Sequence, residues 1–275
     1  MSRPFRQVDV FTTTPYHGNP VAVVLDGDGL TTEAMRRFAT WTNLSETTFV
    51  LSPDAAGADY RVRIFTPTSE LPFAGHPTLG TCHAWLSAGG TPHDPDRIVQ
   101  ECGVGLVAVR RSAGGLAFAA PPLLRSGPVA EPLVRHIASV LRIDRTDLVD
   151  AQWVDNGPGW VAVLLASADA VLALRPGTVD LDVGVVGPYP PGSTQAFEVR
   201  AFSPQITAVE DPVTGSLNAS LAQWLLATGR AHAPYVVSQG TVLGRTGRVH
   251  IARDPNGAIW VGGGTVTCIM GQVDL

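Results

Sequence analysis

Phe65-Thr66-Pro67, followed by Gly75-His76, Trp85-Leu86 and Gly89, returns later in the same chain as Phe202-Ser203-Pro204, Gly215-Ser216, Trp224-Leu225 and Gly229. The first elements lie 137 positions apart (65 and 202) and the second 140 apart (76 and 216), so the offset barely drifts across the matched segment. Such constancy argues for two related halves, each running from a strand through a loop into a central helix. A boundary near Leu124 to Pro128 divides the chain into residues 1–124 and 125–275, with the last strand able to pack on the first half.

Outward from the repeat, Phe5 to Thr12, Tyr60 to Phe65 and Phe197 to Phe202 alternate as strands do. Val21 to Leu25 and Val161 to Leu165 are short continuous apolar runs. Arg248 to Ala252 and Ala258 to Val261 flank Asp254-Pro255-Asn256-Gly257, a hairpin signal because Asn-Gly accepts positive φ. Helical periodicity marks Thr32 to Thr42, Thr78 to Ser87, Glu131 to Leu141 and Leu217 to Ala227. Four helices among many strands predict an α+β or mixed α/β chain, and the hairpin points to antiparallel pairing. The run Gly262-Gly263-Gly264 lies in a strand pattern with no following helix, which points to tight packing or a bulge rather than a phosphate loop.

Composition narrows the function. With 275 residues, 45% of them hydrophobic, the chain can fill one large core or two modest ones. A net charge of −5 without long runs of either sign gives no footprint for nucleic acid or an anionic membrane. Every basic residue is arginine, which removes the lysine of a pyridoxal Schiff base and of a phosphate-binding P-loop. Cys82, Cys102 and Cys268 are odd in number and far apart, without zinc or redox spacing, and suit a reducing, cytoplasmic setting. His83, His93, His136, His232 and His250 likewise lack metal-ligand spacing, so no metal is expected. The N-terminus carries no apolar stretch of signal-peptide or membrane-spanning length, so neither secretion nor membrane insertion is expected.

If the halves are related by a pseudo-twofold, the loops before the two central helices face one cleft. These loops read Glu70-Leu71-Pro72-Phe73-Ala74-Gly75-His76-Pro77-Thr78 and Glu210-Asp211-Pro212-Val213-Thr214-Gly215-Ser216. Two helix N-termini with free N–H groups would favour an anion such as a carboxylate, and hence a small carboxylic acid as substrate. Taken singly, Gly75 is equally a turn residue, Ser216 an N-cap, His76 a capping or core histidine, and Asp211 the opening of a turn. Glu46, in Ser45-Glu46-Thr47, stands just after a predicted helix and at the entry of an apolar strand. Partial desolvation there would let one carboxyl both take and return a proton near neutral pH; a solvated strand-edge glutamate is the alternative.

Gly18-Asn19-Pro20, Ser45-Glu46-Thr47, Phe73-Ala74-Gly75-His76-Pro77-Thr78, Glu210-Asp211-Pro212-Val213-Thr214-Gly215-Ser216 and Trp260-Val261-Gly262-Gly263-Gly264-Thr265-Val266 resemble, in order and spacing, the signature segments of the PhzF-like isomerases of phenazine biosynthesis. The resemblance implies a diaminopimelate-epimerase-like fold of two pseudo-symmetric domains, each with a mainly antiparallel sheet wrapped around a central helix. It implies a cofactor-independent isomerase of the dihydro-hydroxyanthranilate isomerase type, active as a homodimer on a small cyclic carboxylate metabolite. By the same resemblance Glu46 is the catalytic residue. His76 and Asp211 contact polar groups of the substrate, Ser216 and the N–H groups near Gly75 and Gly215 hold its carboxylate, and Asn19 and Ser45 line the pocket. Related racemases use a cysteine at the end of each central loop, where this chain has Gly75-His76 and Gly215-Ser216. Two alternatives remain: an amino-acid epimerase in which Glu46 works with a second base, and a catalytically silent protein that only captures a carboxylate.

Overall fold

The computed structural model describes residues 1–204 and 210–275. In chain order the elements are β1 (Ser2–Val10), β2 (Asn19–Val24), α1 (Thr32–Thr42), β3 (Glu46–Leu51), β4 (Tyr60–Phe65), β5 (Glu70–Leu71) and α2 (Gly75–Ser87). They continue with β6 (Arg97–Cys102), β7 (Gly105–Ser112), β8 (Gly115–Ala119), β9 (Arg125–Pro128), α3 (Glu131–Leu141), β10 (Leu148–Asp155), β11 (Val161–Leu165) and α4 (Ala168–Ala173). The remainder are β12 (Val183–Pro188), β13 (Phe197–Phe202), β14 (Glu210–Asp211), α5 (Gly215–Ala227), β15 (Tyr235–Gln239), β16 (Gly247–Arg253), β17 (Ile259–Gly263) and β18 (Thr265–Asp274). Contacts divide the chain into two units, Met1–Ala119 with Gly262–Leu275, and Ala120–Val261. None of the described helices is long and apolar enough to cross a membrane.

Within the first unit, β1 pairs antiparallel with both β18 and β2, β2 runs parallel to β3, and β3 is antiparallel to β4. Strand β4 then pairs antiparallel with β5 and parallel with β6, which turns back as β7. Within the second unit the same pattern returns: β10 antiparallel to β9 and β11, β11 parallel to β12, β12 antiparallel to β13. Strand β13 pairs antiparallel with β14 and parallel with β15, which turns back as β16. Even the register matches, with Phe65 opposite Glu70 in one unit and Phe202 opposite Glu210 in the other. The echo in the sequence is therefore a duplicated topology, and the class is α+β with mainly antiparallel sheets.

Each unit is built on its central helix. Helices α2 and α5 are 13 residues long and buried over most of their length, the pattern of a helix enclosed by its own sheet. A side chain at Gly80 would overlap Val21, and one at Gly184 would overlap Leu217, so the glycines set how closely helix and strand approach. Both helices stop the same way. Gly89 and Gly229 take φ of 98° and 69°, and the next residue's N–H returns to the Trp85 or Leu225 carbonyl. Phe65 joins Met35 and Phe38 of α1 in one core cluster and Phe202 joins Ile137 and Leu141 of α3 in another, and burying each such large side chain contributes about 1.5–3 kcal/mol.

Two helix starts correct the expectation from periodicity. Helix α2 begins at Gly75 rather than Thr78, and α5 at Gly215 rather than Leu217, so the Gly-His and Gly-Ser pairs are first-turn residues and not loop. Pro77 is accordingly the third helical residue. Glycine and an apolar surrounding hid these turns, because no amphipathic stripe marks a helix that is buried all round. Cys82 lies inside α2, Cys102 ends β6 and Cys268 lies in β18, and all three thiols are free. Between β16 and β17, Gly257 takes φ of 89° and the Asp254 N–H closes onto the Ala258 carbonyl. A side chain at Gly262 would overlap the Leu116 carbonyl and Ala117, which accounts for the glycine run by close packing.

Candidate active site

Glu46 is delivered by a helix stop. Helix α1 ends at Asn43, which adopts the left-handed conformation (φ 55°), and Leu44 and Ser45 then lead into β3 with Glu46 as its first residue. Parallel pairing opposite Val21 fixes Glu46 beside the start of β2, where Asn19 is fully buried. Gly18 makes that start possible, since any side chain there would overlap the Val10 carbonyl and Thr12.

His76, in the first turn of α2, brings its Nε2 to 3.2 Å from Glu46 Oε2, with side-chain exposures of 6% and 15%. Burial pushes the imidazolium pKa down to about 3, against a smaller upward pull from the Pro20 carbonyl, so the ring is neutral. Nε2 makes no aligned hydrogen bond despite its approach to Glu46. Asn19 Nδ2 lies 3.4 Å from Nδ1 and donates to it in the tautomer that carries its proton on Nε2. The neutral ring faces Glu46 through Nε2, which donates to the carboxylate in one tautomer and accepts from the protonated carboxyl in the other. Ser45 is half-buried immediately before Glu46. Asn19, Ser45, Glu46, Gly75 and His76 accordingly belong to one neighbourhood of the first unit.

In the second unit Asp211, Gly215 and Ser216 gather around the start of α5. Thr214 donates its hydroxyl to Asp211 Oδ2 at 2.6 Å and accepts from Gln239 Nε2 at 2.9 Å. Gln239 Oε1 in turn accepts the Thr214 N–H at 3.0 Å and Asn218 Nδ2 at 2.7 Å. Asp211 is thereby held in a buried polar network. Neither N-cap residue, Ala74 or Thr214, caps its helix through its own side chain, and the first turns carry the positive end of the helix dipole.

The sequence reading passed over Trp160 and Asn156. Trp160 Nε1 donates to Ser216 Oγ at 3.1 Å and Asn156 Nδ2 to the Ser216 carbonyl at 2.9 Å. Their one local sign is the cluster Asp155-Asn156-Gly157-Pro158-Gly159 between two strands, which reads only as a turn. Two-thiol chemistry is unsupported: Cys82 is buried, with burial pushing its thiol pKa up to about 12, and the first-turn positions hold His76 and Ser216.

Comparison with known proteins bears on the family and the fold. The family model described as phenazine biosynthesis-like protein (PhzC-PhzF) matches residues 8–271. The trans-2,3-dihydro-3-hydroxyanthranilate isomerase of Pseudomonas aeruginosa is 37% identical over 88% of this chain and 87% of its own. The Schizosaccharomyces pombe protein named antisense-enhancing sequence 1 is 34% identical over 98% of this chain and 97% of its own. The crystal structure of the Bacillus anthracis phenazine biosynthesis protein of the PhzF family superposes with a TM-score of 0.86 over the full length of both chains, at 24% identity, a likeness of fold.

Proposed function

We propose, because this chain belongs to the phenazine biosynthesis-like (PhzC-PhzF) family and is an isomerase, that it shifts a proton within a small cyclic, carboxylate-bearing metabolite without a cofactor. The observation that carries the reading is the Glu46 carboxyl set against the neutral ring of His76. As a carboxylate, Glu46 takes a proton from carbon. As the resulting acid it finds an acceptor in His76 Nε2, and it then returns the proton to another carbon on the same face of the conjugated system. Because the ring stays neutral, it supports both states without a competing charge. Asp211 on the substrate's polar groups, and Ser216 with the N–H groups at Gly75 and Gly215 on its carboxylate, complete the assignment, with Asn19 and Ser45 lining the site. Free cysteines suit a cytoplasmic enzyme, and the reading includes a homodimer, which sedimentation tests.

Proton NMR in deuterated water, with trans-2,3-dihydro-3-hydroxyanthranilate and related cyclic acids, tests the role of Glu46. Glu46→Gln is expected to lower turnover about 10²–10⁴-fold, with the wild type placing solvent deuterium in the product. Equal turnover by the two proteins removes Glu46 from the mechanism. Calorimetric binding that persists in Glu46→Gln without wild-type turnover would favour a silent carboxylate-binding protein.

A further inference from the structure

Ser216 sits in a bracket built by the loop between β10 and β11. Asp155 Oδ1 accepts the N–H groups of Gly157 at 2.7 Å and Gly159 at 2.8 Å, and both glycines adopt positive φ (142° and 98°), a shape other residues rarely take. So braced, the loop directs Asn156 Nδ2 to the Ser216 carbonyl and the buried Trp160 indole to the Ser216 hydroxyl. Indole nitrogen is a donor only, whereas a serine hydroxyl both donates and accepts. Trp160 therefore fills one of the two acceptor positions of Ser216 Oγ and biases the hydroxyl toward donating, and among the described residues the hydroxyl proton has no protein acceptor.

We infer that Trp160 is a positioning residue that turns Ser216 into an outward donor, selecting a ligand group that can only accept, a carboxylate, over one that also donates, a carboxamide. The inference rests on the proposed role of Ser216 as carboxylate holder and adds the device that would make that role selective. Without the indole N–H, the hydroxyl is free to rotate and accepts from an amide more readily.

Calorimetry on the full chain with anthranilate and anthranilamide as probes tests this. Wild type prefers the carboxylate. Trp160→Phe, which keeps an aromatic ring, lowers that preference about tenfold, the size of one hydrogen bond to a charged group. A merely structural loss would weaken both probes alike, and an unchanged preference overturns the inference. Ser216→Ala separates the two levels: loss of anthranilate affinity there, with preference retained in Trp160→Phe, sinks the role of Trp160 alone. Unaltered anthranilate affinity in Ser216→Ala, or no anthranilate binding by wild type, sinks both. Should Trp160→Phe fail to fold, the wild-type indole Nε1–H resonance decides. It moves as anthranilate binds, because charge on Ser216 Oγ polarises the bond it accepts; a stationary signal overturns the inference.

Discussion

His76 stays neutral where a histidine in an unfolded chain would not. In the unfolded state the ring gains a proton below about pH 6.5, whereas burial in the fold holds its pKa down to about 3. Its contribution to stability is therefore intact above pH 6.5 and is lost as pH falls from 6.5 toward 3, by about 1.4 kcal/mol per pH unit for one proton. Urea unfolding at pH 7, 6 and 5 is expected to show this slope in wild type and a shallower one in His76→Asn. Equal slopes would mean that the native ring is already charged. At this scale the family motifs lead to Glu46 and His76 directly, because both lie inside short signature segments. Trp160 and Asn156 escape notice because they meet Ser216 from 56 and 60 positions away, and no local pattern encodes such a contact.

Among the elements, the short strands β5 and β14 are each fastened by the same fork. Arg63 Nε and Nη2 reach Glu70 at 2.7 Å each, and Arg200 Nε and Nη2 reach Glu210 at 2.9 and 2.7 Å. Each guanidinium also lies over the phenylalanine two positions on, Phe65 at 5.1 Å and Phe202 at 4.9 Å. Environment divides the twins: side-chain exposures are 26% and 36% in the first fork, 4% and 9% in the second. Arg200 Nη1 also meets the carbonyls of Val171 and Leu174. Removing one partner of a buried pair costs about 3–5 kcal/mol, whereas an exposed pair contributes about 0–1 kcal/mol. Arg200→Met is thus expected to lower unfolding free energy by several times as much as Arg63→Met in denaturant titrations; similar losses would refute the distinction. The repeat was legible from its Phe, Pro, Gly and Trp positions. The forks were not, since their partners face each other only once the hairpin register is known. Likewise α4, six residues long, is too short for periodicity to mark.

At the scale of the whole molecule, the first unit is assembled from two distant pieces of chain. Strand β18 pairs with β1 from Ser2 opposite Asp274 to Val10 opposite Thr265, with a register shift between Gln7 and Val8. His83 of α2 joins in through the hydroxyls of Thr265 and Thr267, at 2.9 and 3.0 Å. A chain ending at Val261 is expected to expose β1 and β2 amides to rapid hydrogen exchange while β11 to β13 keep their protection; slow exchange in β1 would refute this. Synthesis proceeds from the N-terminus, so residues 1–119 emerge early yet cannot complete their sheet until residues 262–275 have left the ribosome. The intervening stretch, continuous in sequence, can settle first. Glu46 and His76 are then among the last parts of the nascent protein to reach a finished environment, and a ribosome stalled near position 261 would carry both residues on a sheet still missing its closing strand.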